Sequence, residues 1–147
     1  MSVKTGIYCF LTFLFLSCDR SRKPTAVSTT KQQPESFQVF FDQFNTDSIF
    51  QRSRVLFPLD NYLIPLEELN YEMVNQPIDS ADYYILDLTY HDSLAKRQFD
   101  AYERIIQTKK DTTWVKFTGI DNGIHEEFVF QRRNGKWLLV KIMDGST

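Results

Sequence analysis

The sequence predicts an α+β fold, with N-terminal helices packed on a curved antiparallel sheet. Two observations carry this. Phe37, Phe40, Phe41 and Phe44 fall at i, i+3, i+4 and i+7, a single apolar stripe on a helix. Far downstream, the β-rich runs Thr113–Ile120, Ile124–Arg132 and Lys136–Met143 are separated by Asp121-Asn122-Gly123 and Asn134-Gly135. Asn-Gly between such runs signals a hairpin, because a type I′ turn needs positive φ at both central residues.

The elements follow in order. Ser36 is placed to cap the first helix, and four phenylalanines on one stripe make it core-facing. Asn45-Thr46-Asp47 ends it and caps a second short helix, with Ile49 and Phe50 turned inward. Val55 to Leu59 reads as a strand in which Pro58 requires an edge or a bulge. Pro65 opens a short helix with Leu66, Leu69 and Met73 inward. Tyr83 to Tyr90 reads as a strand with Tyr84, Leu86, Leu88 and Tyr90 on one face and Asp87 on the other. Ser93 to Phe99 is expected to be helical, and Tyr102 to Thr108 to add a strand before the hairpins. In the last strand, alternation puts Leu138, Val140 and Ile142 on one face and Trp137, Leu139, Lys141 and Met143 on the other. One face suits the helices. The other is too apolar to be fully solvated, and Trp137, Leu139 and Met143 are its candidate partner surface.

Ahead of this domain the chain has a different character. Lys4 precedes an apolar run from Ile7 to Leu16, followed by Ser17 and Cys18. A membrane-spanning helix needs roughly 20 apolar residues, so this run fits the apolar region of a secretory signal instead. Phe15-Leu16-Ser17-Cys18 resembles the lipobox of bacterial lipoproteins, in which Leu commonly stands three places before the cysteine; here Phe15 holds that place and Leu16 the next. The organisation expected is a signal peptide over 1–17, a lipidated Cys18 with a disordered tether to residue 34, and an α+β domain over 35–147. A plain cleaved signal or a residual anchor is the alternative.

Cys9 and Cys18 are the two cysteines. With the first discarded and the second acylated, the mature domain has neither thiolate metal sites nor a cysteine nucleophile. Residues 19–34 carry Arg20, Arg22, Lys23 and Lys31 against Asp19, whereas the domain is acidic. A basic tether beside lipid attracts anionic headgroups, while the acidic body is held outward; the tether charges also serve as simple solubilisers. No basic stripe interleaved with aromatics occurs, so nucleic acid is excluded as a partner.

Phenylalanine-rich helices followed by a twisted antiparallel sheet that ends in Asn134-Gly135-Lys136-Trp137-Leu138-Leu139-Val140-Lys141-Ile142 resemble the nuclear-transport-factor-2-like, or cystatin-like, fold. More narrowly, Phe40-Phe41-Asp42-Gln43-Phe44, Phe50-Gln51, Arg54-Val55-Leu56-Phe57-Pro58-Leu59 and the closing Asn134–Gly145 together resemble a family of uncharacterised lipoproteins from Gram-negative anaerobes. The resemblance implies a cone in which helices pack into the concave face of a curved sheet. It implies no reaction, although related enzymes place Asp, His or Tyr inside that cone.

Two clusters hold side chains suited to acid/base or metal chemistry. His125, Glu126 and Glu127 follow the Gly123 turn, and strand alternation puts Glu126 with Phe128 and Phe130, opposite His125 and Glu127. Glu126 is thus the carboxylate on the apolar face, and Glu126 and His125 are the candidate acid/base residues. Asp87 on the Tyr83–Tyr90 strand and His91-Asp92 in the turn after it form the second cluster, which falls short of the three or four convergent ligands a metal needs. No metal or other cofactor is expected. The function expected is a lipid-anchored cell-envelope protein, on the inner or outer membrane, acting as a non-enzymatic ligand-binding or protein-interaction module. The alternative is a small hydrolase- or isomerase-type enzyme using the cone pocket, and a third reading is an envelope subunit that forms homodimers.

Overall fold

Helix α1 (Phe37–Thr46) forms along the phenylalanine stripe, and it buries Phe40, Phe41 and Phe44. Its N-cap is Ser36, whose side chain makes no capping hydrogen bond. Asp47 ends α1 and caps α2 (Ser48–Ser53), its carboxylate accepting the Ile49 and Phe50 N–H groups at 3.0 and 2.9 Å. The inward residue of α2 differs from expectation. Ile49 is 83 % exposed and Gln51 is 1 % exposed, with Phe50 partly buried against the core. This computed structural model describes residues 33–65, 72–91 and 99–147, all within the unit Gln32–Thr147. The expected signal, Cys18 and nearly all of the tether, the body of the Pro65 helix and nearly all of the Ser93–Phe99 helix lie outside the described residues. Met73, expected inward on the Pro65 helix, is 40 % exposed.

Six strands make one sheet in the order β2-β1-β6-β5-β4-β3. They are β1 (Val55–Leu63), β2 (Val74–Asn75), β3 (Tyr102–Lys109), β4 (Thr112–Gly119), β5 (His125–Arg133) and β6 (Lys136–Asp144). The sheet is mixed: β1 runs parallel to β6, and the other pairs are antiparallel. In β1 the register against β6 shifts between Val55 and Asp60, the stretch that contains Pro58, so the missing proline N–H falls where the ladder is already broken. The Asn134-Gly135 turn has φ of 50° and 79°, the two positive values of a type I′ turn.

The concave face carries the core. Phe130 is fully buried, and its ring meets Phe37, Phe40, Phe41 and Phe44 edge-on, with centroids 5.3 to 6.1 Å apart. Edge contacts of this kind contribute about 0.5–1.5 kcal/mol each beyond area burial. Trp137 and Leu139 join this core at 2 % and 0 % exposure, so neither belongs to an open partner surface. The reason is a bulge. Pairing steps from Phe130↔Leu139 to Val129↔Lys141, which leaves Val140 as an extra residue and inverts the alternation. Trp137 and Leu139 face the helices before it, and Ile142 after it. Of the three residues expected on a partner surface, only Met143 stays with the outer face, beside Tyr62 of β1.

Glu35 closes the base of the domain. Its carboxylate receives both Arg54 Nη atoms at 2.8 and 3.0 Å and the Trp137 N–H at 2.8 Å. Its carbonyl receives the Trp137 indole N–H at 3.0 Å.

Candidate functional site

Tyr83 to Tyr90 is not a strand of the sheet. It is an extended strap held by side chains from elsewhere. The Gln51 amide donates to the Leu86 carbonyl and accepts the Leu86 N–H, at 2.8 and 2.7 Å. It also donates to the Phe44 carbonyl and accepts the Tyr83 hydroxyl, both at 2.8 Å. Asn45 accepts the Leu88 N–H, Arg104 donates to the Leu88 carbonyl, and Arg52 donates to the Tyr83 carbonyl. Backbone groups of Tyr83, Leu86 and Leu88 that a sheet would satisfy are satisfied by four side chains instead. The alternation also shifts: Tyr83, Leu86 and Leu88 are buried, while Tyr84 is 63 % exposed rather than sharing their face.

Between this strap and the open end of the sheet lies a cavity of about 490 Å³, within the usual range for small-molecule sites. Its strap wall runs from Tyr84 to Thr89 and includes His91, and its sheet wall includes Tyr102, Phe117, Glu126 and Phe128. The aromatic rings form a chain. Tyr90 meets Tyr102 at 5.7 Å, Tyr102 meets Phe117 at 5.7 Å, and Phe117 meets Phe128 at 6.0 Å. The phenylalanines of α1 fill the rest of the cone, so the cavity occupies only its strap side.

Glu126 sits in that apolar wall. In register it lies opposite Phe117 on one side and Asp144 on the other. Burial, then the Asp144 charge facing it, push its carboxyl above the ordinary carboxylate range. Asp144 has a partner, the Ser146 N–H at 3.0 Å. No hydrogen bond or ion pair to the Glu126 carboxylate occurs among the described residues. Like charges paired directly across strands are unfavourable, and such an arrangement is the kind of local conflict that concentrates at functional sites. Burial, followed by the Glu126 and Asp144 charges, also raises the Tyr84 hydroxyl.

The other candidates fall elsewhere. His125 is exposed on the opposite face of β5, and it does not line the cavity. Glu127, its face-mate, is paired with Lys116 at 2.5 Å. Asp87, Thr89 and His91 form a local cluster at the cavity rim: the Thr89 hydroxyl lies 2.5 Å from Asp87 Oδ1 and 2.7 Å from His91 Nε2. The Thr89 hydrogen bonds, with a smaller contribution from His91, hold the Asp87 carboxyl below its usual range. Asp92 lies outside the described residues. Sequence reasoning missed Gln51 and Asn45, since nothing in one sequence distinguishes an amide that will clamp a distant strap from an ordinary helix residue.

Helices on the concave face of a six-stranded sheet, with a cavity at its open end, define the nuclear-transport-factor-2-like, or cystatin-like, class of fold. Residues 24–144 match the family described as "Domain of unknown function (DUF4348)", and the chain belongs to that family. No curated protein matches it. Among solved structures it is similar to a nuclear-transport-factor-2-like protein from Bacteroides fragilis, with TM-score 0.56 and 23 % identity over 80 % of this chain and 50 % of that one. This chain therefore spans half the length of that relative. It is also similar to a cystatin-like protein from Bacteroides caccae, with TM-score 0.55 and 20 % identity over 78 % of each chain. A protein from Bacteroides uniformis solved by NMR matches with TM-score 0.56 and 18 % identity, over 76 % of this chain and 77 % of that one. At these identities the likeness establishes the fold alone.

Proposed function

We propose that this is a lipid-anchored protein of the cell envelope whose cavity binds a small ligand without transforming it. The observation that carries the binding half is Glu126, a carboxyl in an aromatic wall with no partner among the described residues, facing a cavity closed on one side by a strap held by side-chain hydrogen bonds. A polar group kept in such a wall at a cost in stability is intelligible when a ligand completes its hydrogen bonding. The anchor half rests on the apolar run before Cys18 and on the Ser17-Cys18 junction. Saturation-transfer NMR of the purified full chain against a library of small amphiphilic fragments tests the cavity. Hits should vanish when Phe117→Trp fills it and persist in Trp114→Ala on the outer face. Hits indifferent to Phe117→Trp would refute the cavity as the site.

The raised Glu126 carboxyl favours one second reading, an enzyme with Glu126 as acid/base. Turnover of a bound fragment, abolished by Glu126→Gln while binding persists, would establish that reading. Binding with no turnover favours the first.

A further inference from the structure

The charge of the cavity wall points to the chemical class of its ligand. Among the described lining residues the carboxylates are Asp87 and Glu126, and His91 is the basic side chain, already hydrogen-bonded to Thr89. Asp144 faces Glu126 across the strands. The nearby guanidinium of Arg104 is turned away to the Leu88 carbonyl at 2.8 Å, and it lies over the Phe41 and Tyr90 rings. Asp87 has His91 3.7 Å away, whereas Glu126 has no cation to neutralise it among the described residues.

The rest of the wall has the matching property. Tyr102, Phe117 and Phe128 contribute aromatic surfaces whose ring faces are electron-rich and attract cations. An anionic ligand would meet Glu126 in the partly desolvated wall and Asp87 at the exposed rim, whereas a cation would relieve the Glu126–Asp144 juxtaposition.

Resting on the reading of the cavity as a ligand site, we propose that its ligand is an organic cation: an ammonium group on a flat apolar body. The ammonium sits against Glu126, and the body lies against Tyr102, Phe117 and Phe128.

Three probes of one shape test this by calorimetry on the full chain: 2-naphthylmethylammonium, 2-naphthylmethanol and 2-naphthoate. The ammonium should bind about tenfold or more tightly than either of the others. Glu126→Gln should remove that preference while leaving the affinity for the alcohol unchanged, and Glu103→Gln, on the exposed edge strand, should change neither. Alcohol or carboxylate binding as tightly as the ammonium would overturn the cation proposal and leave the cavity reading standing. If none of the three binds at millimolar concentration, both fall. An ammonium preference that survives Glu126→Gln would also overturn the proposal, because the charge responsible would lie elsewhere.

Discussion

Gln51 reads both backbone groups of Leu86, taking its N–H at 2.7 Å and giving to its carbonyl at 2.8 Å, as a neighbouring strand would. One buried amide on a six-residue helix therefore stands in for a sheet partner. It is fully used, since its remaining capacity goes to the Phe44 carbonyl and the Tyr83 hydroxyl. The strap it holds is one wall of the cavity, so stability and site share this residue.

Replacing Gln51 with Leu should expose that dependence. The substitution strands the two Leu86 groups and the Tyr83 hydroxyl in the interior, with an expected loss of about 3 kcal/mol or more. Urea denaturation measures it. A loss below about 1 kcal/mol would mean that the strap has other means of closing.

The bulge at Val140 makes a second prediction, one that separates neighbours in the same strand. Leu139→Ala removes a fully buried side chain and should cost about 2–5 kcal/mol. Met143→Ala, on the half-exposed outer face, should cost less than about 1 kcal/mol. Equal costs would place the parity inversion elsewhere.

The Glu35 clasp predicts a cost at the very start of the domain. Glu35→Ala removes the acceptor of the Trp137 N–H and leaves the Arg54 guanidinium only the Trp137 carbonyl at 3.2 Å. Arg54 is only slightly exposed, so a loss of about 1–3 kcal/mol is expected, visible as a lower melting temperature. Unchanged melting would show that the ion pair is mere decoration.

The pH dependence follows from Glu126, whose folded carboxyl holds its proton more tightly than the unfolded chain does. Between the ordinary carboxylate range and the raised midpoint, the folded state binds more protons, so stability falls as pH rises through that window. Above it the penalty is constant. Glu126→Gln should therefore melt higher than the wild type at neutral pH, with the difference fading once pH drops below the ordinary carboxylate range. A variant less stable than wild type at neutral pH would contradict this assignment.

Much of this architecture was legible in the sequence, for local reasons. The Phe37/Phe40/Phe41/Phe44 stripe and the Asn134-Gly135 turn are short-range patterns, and each formed where expected. Glu126 was legible too, as a carboxylate at an apolar strand position. What escaped is non-local or parity-breaking. Strict alternation separates Trp137 and Leu139 from Ile142, whereas the bulged Val140 between them brings all three to the core face. The Tyr83–Tyr90 strap reads as a strand by composition, but its hydrogen-bond partners are Gln51, Asn45, Arg52 and Arg104, which no spacing rule connects to it. The cavity exists only because that strap stands off the sheet.

Ligand binding in this cavity rests on Glu126 being a free carboxyl that a ligand can reach. Carbon-detected NMR titration of its side-chain carboxyl measures this directly. Glu126 should titrate above the ordinary glutamate range, and saturating 2-naphthylmethylammonium should draw its midpoint down as the ammonium pairs with the carboxylate. A Glu126 midpoint within the ordinary range and unmoved by the ammonium would contradict this.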